Sequence, residues 1–365
     1  MIKSCYIHIP FCDNICSYCD FCKMFYKEDL VDKYLTSLEQ EINSIYKGEE
    51  LETIYIGGGT PSSLNIKQLE RLFKIINKLN KSNKIEYTIE GNFSSTTKDK
   101  LQLYKKYGIN RLSLGLESIN KDNLKILERD NNKEEIKEKI KLMKEIGFNN
   151  INVDLIYAIP NETLEVLRKD IDFILSLDIE HISTYSLIIE ENTKLYINKN
   201  KNIDEDLDLE MYNEITNTLK NNNYIHYEIS NFSKVGYESN HNKCYWLNNN
   251  YYGFGLGASS YIDNKRITNT RSISKYLNNN YIYEKEELNI EDTIEYEIIL
   301  GLRLIKGINL NLFKEKYHKD LINIYNYNEL INNNLLILKD NYLSIPEEKI
   351  YISNEIIVKL LQSKI

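Results

Sequence analysis

The chain has 365 residues, 46 basic against 54 acidic side chains, a formal charge of -8 and six cysteines. That length buries a substantial core, enough for one large α/β domain with a small appendage. The acidic balance, with no Lys/Arg block long enough to follow a phosphate backbone, excludes nucleic acid as the main partner, and no stretch approaches the roughly 18 apolar residues of a membrane span, so a cytoplasmic protein is expected.

The opening segment reads as a strand, Cys5 to Ile9, because its apolar run is too short for a signal-peptide core and lacks a small-residue cleavage site. It leads into His8-Ile9-Pro10-Phe11-Cys12-Asp13-Asn14-Ile15-Cys16-Ser17-Tyr18-Cys19-Asp20-Phe21-Cys22. Cysteines crowded this way in a cytosolic chain suggest metal before disulfide. A cubane [4Fe-4S] cluster needs thiolates on separate irons, and spacings of three and then two intervening residues supply three of them, Cys12, Cys16 and Cys19, leaving one iron open. The alternative is a zinc site with Cys22 as fourth ligand. Against it, zinc knuckles bring two separated ligand pairs together, whereas these four share one loop.

A helix follows, with Leu30, Tyr34, Leu38, Ile42 and Ile45 on one face, and then a strand from Thr53 to Ile56. That strand ends in Gly57-Gly58-Gly59-Thr60-Pro61-Ser62, where glycines let backbone amides approach a charged ligand; without a following Gly-Lys-Ser/Thr this is not a nucleoside triphosphate loop. A second helix carries Ile66, Leu69, Leu72, Phe73 and Ile76. Further strands are expected at Ile85 to Ile89, Arg111 to Leu116, Ile151 to Ile156 and Ile182 to Leu187. Six β-α units in series predict a parallel sheet. Being fewer than the eight of a full barrel, they predict an incomplete (β/α)6 barrel open on one side, with ligands at the carboxyl ends of the strands. Polar residues stand there: Glu90 and Asn92 after the third strand, Glu117 and Ser118 after the fourth, and Asp154 in the fifth. Arg129, twelve residues beyond Glu117, is suited to a bidentate contact with a carboxylate.

Beyond about residue 205 the rhythm changes to a long helix, Asp206 to Lys220, and then a region from Tyr224 to Tyr261, rich in aromatics and glycine, that reads as irregular. It contains His241-Asn242-Lys243-Cys244-Tyr245-Trp246. A neutral imidazole ligates haem iron, Cys244 is a thiolate alternative, and Tyr245 and Trp246 offer flat faces to a porphyrin; the plainer reading of a histidine among aromatics is packing. Gly253-Phe254-Gly255-Leu256-Gly257-Ala258 lies outside the β-α series and lacks an acidic partner, so it is not a dinucleotide fingerprint. From about Glu291 a helix (Ile294, Ile298, Ile299, Leu302, Leu304), a second helix near Leu312 to Tyr317 and a hairpin-like end from Leu335 to Ile352 predict a small winged-helix-like αβ domain, used for packing or interaction rather than DNA reading. The expected divisions are 1–220 for the partial barrel, 221–290 for the extension and 291–365 for the C-terminal domain.

The C-x3-C-x2-C spacing with an aromatic before the last cysteine resembles the radical S-adenosylmethionine (SAM) signature. With the triple-glycine loop, Gly108-Ile109-Asn110-Arg111-Leu112-Ser113-Leu114-Gly115, Asn152-Val153-Asp154-Leu155-Ile156-Tyr157 and Tyr227-Glu228-Ile229-Ser230-Asn231-Phe232, nearly the whole chain is similar to the oxygen-independent coproporphyrinogen III oxidase-like family. The resemblance implies a radical SAM barrel whose open iron binds SAM and whose reduced cluster cleaves the sulfonium to methionine and a deoxyadenosyl radical. It puts Tyr6, Tyr18, Gly58, Gly59, Thr60, Glu90, Glu117, Arg129 and Asp154 around SAM. Glu117 stands where the family pattern has Gln, Ala158 where it has Gly, and Phe93 where it has Pro. Cysteines that begin at residue 12, the placing of Cys22 and the HNxxYW pattern at His241 to Trp246 resemble the haem chaperone branch rather than the decarboxylating enzyme, oxygen-independent coproporphyrinogen III dehydrogenase. That branch implies haem as cargo, apo-haemoproteins such as respiratory cytochromes as clients, an electron donor for the cluster, room for a homodimer, and membrane contact only through a client.

Overall fold

The six expected strands all form, and they are buried on both faces, as the apolar runs of a parallel sheet covered by helices require. In the computed structural model, which describes residues 1 to 365, they are β1 (Ser4–Ile9), β2 (Leu51–Gly58), β3 (Lys81–Asn92), β4 (Arg111–Glu117), β5 (Ile151–Tyr157) and β6 (His181–Ser186). Their parallel neighbours follow chain order, β1 to β6. Each crossover is helical: α1 (Glu28–Ile45), α2 (Ile66–Ile76), α3 (Lys98–Lys106), the pair α4 (Lys121–Leu127) and α5 (Lys133–Ile146), and α6 (Leu164–Ser176). Asn65, Thr97, Asn120, Asn132 and Thr163 accept from first-turn amides of α2 to α6, which satisfies backbone donors that a helix start leaves orphaned. α1 buries Val31, Tyr34, Leu35, Leu38 and Ile42 against the sheet.

The period-2 alternation of the strands sorts chemistry between the two faces. Ile7, Ile54, Ile56, Ile89, Leu112, Leu114 and Val153 belong to the apolar core under the helices. Residues in register on the other face are Tyr6, Tyr55 and Thr88, then Arg111, and the rows continue through Ser113, Asn152 and His181. The barrel interior is therefore polar and aromatic.

The stretch expected to be irregular is instead ordered, and it extends the sheet at both edges to twelve strands. Ile225–Glu228 and Asn231–Ser233 add antiparallel strands beyond β6, while Tyr251–Phe254 pairs parallel with β1 and continues into Ser259–Ile262, Lys265–Asn269 and Ile282–Glu287. Ile225–Glu228, Asn231–Ser233, Tyr251–Phe254 and Ser259–Ile262 have at most four residues, too few to display a hydrophobic period, and Ile282–Glu287 is exposed along its whole length. Gly253 is needed where the chain folds back: a Cβ there would lie 1.8 Å from the Ser259 carbonyl oxygen. Between the two edges sits a helix, Asn240–Trp246.

The C-terminal part holds helices Ile290–Gly301, Leu310–Tyr317, Asn328–Asn332 and Ser353–Gln362 around a three-stranded antiparallel sheet of Ile308–Asn309, Tyr342–Ser344 and Ile337–Lys339. Its Ile294, Ile298, Phe313, Leu343 and Leu360 belong to the same continuous apolar core as the barrel. No helix is long and apolar enough to cross a membrane.

Ala158, just after β5, has φ +59 and is 2% exposed. A left-handed backbone costs an L-residue roughly 1–2 kcal/mol, and glycine is free of that cost. Ala158→Gly is expected to stabilise the fold by about 0.5–1 kcal/mol, net of the extra unfolded-state entropy, read as a higher thermal midpoint. A lower midpoint would mean that the packing of the buried methyl outweighs the backbone strain.

Candidate cofactor pocket

At the carboxyl end of the strands lies a cavity of about 410 Å³, lined by the cysteine loop, the triple-glycine loop and the ends of β3 to β6. The cysteine loop is closed at its base by parallel pairing of Phe11–Cys12 with Met24–Phe25. It is also tied to the barrel by side chains. His8 Nε2 donates to the Cys22 carbonyl at 2.7 Å, Ser17 Oγ to the Ile126 carbonyl at 2.6 Å, and Arg271 Nη2 to the Asp20 carbonyl at 2.6 Å. Since the Cys22 carbonyl can only accept, His8 carries its proton on Nε2, and its Nδ1 takes the Tyr6 hydroxyl at 3.0 Å. Burial holds that imidazole neutral, its pKa lowered to about 4.

Cys12, Cys16 and Cys19 all line the cavity; Cys22 does not, and packs at Gly257, where a Cβ would lie 2.7 Å from its own. No three His, Cys, Asp or Glu side chains are grouped as the ligands of a single ion would be. Three thiols on one wall suit a cubane, which takes each thiolate on a separate iron. Burial raises the Cys12 thiol to about 11 and the Cys19 thiol above its ordinary value, so metal binding would release protons. Thr60 Oγ1 donates to Cys12 Sγ at 3.5 Å, and Arg129 Nη1 lies 3.7 Å from Cys16 Sγ.

The glycine loop runs beneath the cysteines. Gly58 has φ +119, and a Cβ there would lie 2.7 Å from the His8 ring; at Gly59 it would lie 2.9 Å from Cys12 Sγ. The Gly58 amide donates to Glu90 Oε2 at 3.0 Å, and Tyr55 donates to Glu90 Oε1 at 2.7 Å. Burial raises the Glu90 pKa, opposed by those two bonds.

Glu117 and Arg129 form a buried pair. Glu117 Oε2 accepts from Arg129 Nε at 3.0 Å and Nη2 at 2.7 Å, and its Oε1 accepts from the Tyr18 hydroxyl at 3.2 Å. The remaining donors of Arg129 reach the Gly115 carbonyl at 2.9 Å and Asn92 Oδ1 at 3.0 Å. The bulge where β4 meets β5 and the φ of +59 at Glu117 turn this carboxylate into the pocket. Asp154 accepts from Asn152 Nδ2 at 2.8 Å, and its pKa is raised to about 7, first by burial and then by the charges of Glu117 and Glu90.

Glu90 and Asp154, with the Arg129 guanidinium on the same wall, make a pocket for a cation that also carries a carboxylate. SAM, with a sulfonium and an ammonium against one carboxylate, fits this set. Because a bound cation favours ionised Asp154, SAM affinity is expected to fall as pH drops from about 8 to 6, and Asp154→Asn to flatten that dependence, measured by equilibrium dialysis. An unchanged pH profile in the variant would place the titrating group elsewhere.

Of the residues expected around SAM, the structure gathers Tyr18, Gly58, Gly59, Thr60, Glu90, Glu117, Arg129 and Asp154 on the cavity wall. Tyr6 is not on that wall: its hydroxyl is on His8 and its ring is stacked on Tyr55 at 6.1 Å. The sequence reading missed Ile156, Tyr185, Leu187 and Ile188, which form an apolar side of the mouth. Their position at the ends of β5 and β6 was the available signal.

The motif from His241 to Trp246 is not brought to this pocket. It forms the helix Asn240–Trp246, set against the amino-terminal half of the strands, where Glu86 accepts from the Asn240 amide at 2.8 Å and the His241 amide at 2.9 Å. His241 is 1% exposed, and both of its ring nitrogens are engaged, Nδ1 with Thr53 Oγ1 and Nε2 with the Tyr245 hydroxyl, each at 2.8 Å. Burial lowers its pKa to about 3. Cys244 is also buried, whereas Tyr245 and Trp246 are partly exposed. No ring nitrogen of His241 is open to iron in this arrangement.

The radical SAM superfamily model matches residues 6–174, and the HemN C-terminal domain model matches 288–351. The chain is 41% identical over 340 residues to the heme chaperone HemW of Bacillus subtilis, covering 89% of each chain, and 36% identical over 369 residues to the heme chaperone HemW of Lactococcus lactis, covering 98% of this chain and 97% of that one. Among solved structures, coproporphyrinogen III oxidase (HemN) of Escherichia coli, a radical SAM enzyme, superposes with a TM-score of 0.86 over 98% of this chain and 89% of that one, at 22% identity. At that identity the likeness shows the fold: the expected partial barrel with its C-terminal αβ module.

Proposed function

The chain belongs to the HemW family of haem chaperones within the radical SAM superfamily, and from that premise we propose that it captures haem and hands it to apo-haemoproteins, on a scaffold carrying a [4Fe-4S] cluster and SAM. The observation that carries this reading is the likeness to proteins of that name over nearly the full length. We place three irons of the cluster on Cys12, Cys16 and Cys19. The Gly58–Thr60 loop, Glu90 and Asp154 would hold the cationic end of SAM, with Tyr18, Glu117 and Arg129 beside its carboxylate. When bound, the reduced cluster supplies one electron to SAM. The chain itself orients that ligand, keeps its charges among buried counter-charges, and closes the back of the pocket with the His8 and Tyr6 layer.

For haem, the partly exposed Tyr245 and Trp246 are the contact faces proposed among the four candidates, because His241 and Cys244 are enclosed. Trp246 Nε1 has no hydrogen-bond partner, and the Arg303 guanidinium stands 5.9 Å from its ring. Respiratory cytochromes as clients, an external electron donor, a homodimer, and a cytoplasmic location that reaches the membrane through a client complete the proposal.

The test is an anaerobic haemin titration of cluster-reconstituted protein, followed in the Soret band, with coproporphyrinogen III turnover measured beside it. Saturable one-to-one binding, weakened in Trp246→Ala, and no vinyl product are expected. No saturable binding together with substrate-dependent 5′-deoxyadenosine and vinyl product would overturn the chaperone reading in favour of the dehydrogenase.

A further inference from the structure

A row of aromatic rings crosses the barrel interior and joins two parts of the chain that sequence keeps far apart. His241 stacks on Tyr55, with ring centroids 5.1 Å apart and planes at 25°, and Tyr55 in turn stacks on Tyr6 at 6.1 Å and 29°. The imidazole is itself fixed from both sides, by Thr53 at Nδ1 and Tyr245 at Nε2, and its helix is anchored by Glu86 through two backbone amides and Ser239 Oγ. The ring that presses on Tyr55 therefore has little freedom to shift.

What Tyr55 does with its other end connects this row to the pocket. Its hydroxyl donates to Glu90 Oε1 at 2.7 Å while Glu90 Oε2 takes the Gly58 amide at 3.0 Å, so one tyrosine proton helps to aim the carboxylate that shapes the glycine loop. The fit is close: a Cβ at Gly57 would lie 2.8 Å from the Glu90 carboxyl carbon. Thr53 and Tyr55 are neighbours on one face of β2, and Gly58 ends the same strand, about 10 Å beyond Tyr55 at roughly 3.3 Å per residue.

We propose that His241 is a positioning residue for the SAM pocket, which it serves by holding Tyr55 against Glu90, rather than an iron ligand. The proposal rests on the reading of the pocket as a SAM site and is independent of haem transfer. Tyr55 donates only in one ring orientation, and a donated hydrogen bond favours the ionised form of Glu90, the form that attracts an ammonium or sulfonium group. Without the imidazole beneath it, the Tyr55 ring gains room to turn, and the carboxylate loses a fixed donor. The HNxxYW pattern thus acquires a physical role that its place far from the cysteine loop conceals.

The experiment is equilibrium dialysis of SAM against cluster-loaded full-length protein, with EPR of the reduced cluster recorded with and without SAM. Tyr55→Phe keeps the ring and removes only the donor, and is expected to weaken SAM binding roughly tenfold, the effect of one hydrogen bond to a charged group. His241→Ala should weaken it to a similar degree, His241→Phe should restore most of the loss by keeping a ring on Tyr55, and the double variant His241→Ala/Tyr55→Phe should be no weaker than either single one. The SAM-dependent change in the EPR signal should diminish in the same order, while haemin stoichiometry stays that of the wild type. If His241→Ala fails to fold, His241→Leu, which keeps bulk but no flat ring on Tyr55, takes its place and should weaken SAM binding where His241→Phe does not. Unchanged SAM affinity in the variants beside a wild type that binds would overturn the inference alone, and so would loss of haemin binding with SAM binding intact. A wild type that binds no SAM would overturn the pocket reading and this inference with it.

Discussion

Gly58→Ala is expected to abolish SAM binding, lowering affinity at least about a hundredfold, and to destabilise the fold by roughly 2–3 kcal/mol. Two independent features act together. The backbone at φ +119 is a conformation that a side-chain-bearing residue rarely adopts, and the new Cβ would lie 2.7–2.9 Å from three atoms of the His8 ring. His8 cannot withdraw cheaply, because its two nitrogens hold Tyr6 on one side and the Cys22 carbonyl of the cysteine loop on the other. Relief of the clash therefore moves either the glycine loop, with its amide on Glu90, or the loop that carries the cysteines. Gly48→Ala is the matched control. Gly48 also has a positive φ, +96, but nothing lies within 4 Å of its Cβ position, so the substitution should cost some stability and leave SAM binding unchanged. Dialysis of labelled SAM and iron content of the reconstituted proteins separate the two. A Gly58→Ala protein with full iron content and wild-type SAM affinity would remove the glycine loop from the binding site.

The legibility of this site followed the length of the pattern that carried it. β1 to β6 were readable because each has four or more alternating residues and a helix of more than one turn behind it, and their order in the sheet is the chain order that parallel crossovers favour. The cysteine and glycine loops were readable because spacing and residue type mark them directly. Strands such as Asn231–Ser233 and Tyr251–Phe254, at three and four residues, carry no period to detect. For Tyr6 the sequence gives the strand but not the layer its hydroxyl reaches, which is His8. Tyr55 went unremarked because nothing local distinguishes it from any strand tyrosine. Its meaning arises only when β3 brings Glu90 alongside and the helix Asn240–Trp246 closes beneath, contacts separated by 35 and nearly 190 residues in the chain.

Replacing one member of the Glu117–Arg129 pair should have opposite consequences for binding depending on which is changed. Arg129→Met leaves Glu117, whose side chain is 8% exposed, as a buried carboxylate without its cation, and strands the Gly115 carbonyl and Asn92 acceptors as well. Breaking a buried pair in this way costs about 3–5 kcal/mol, so a large fall in the thermal midpoint is expected, together with loss of SAM binding. Glu117→Gln is milder, because an amide oxygen still accepts from Arg129 and only the negative charge is removed. As it stands, Glu117 already occupies two of the Arg129 donors, and its charge repels any carboxylate that approaches the same guanidinium. Gln at this position, the residue of the family pattern, removes that repulsion of the methionine carboxylate, so SAM affinity should rise several-fold, with a stability cost of about 1 kcal/mol. The double variant Arg129→Met/Glu117→Gln buries no unpaired charge and should regain most of the midpoint lost in Arg129→Met while still binding SAM poorly. That separates folding from recognition, since stability returns without affinity. If Glu117→Gln instead weakens SAM, Glu117 serves the cationic end of the ligand and Arg129 does not hold its carboxylate.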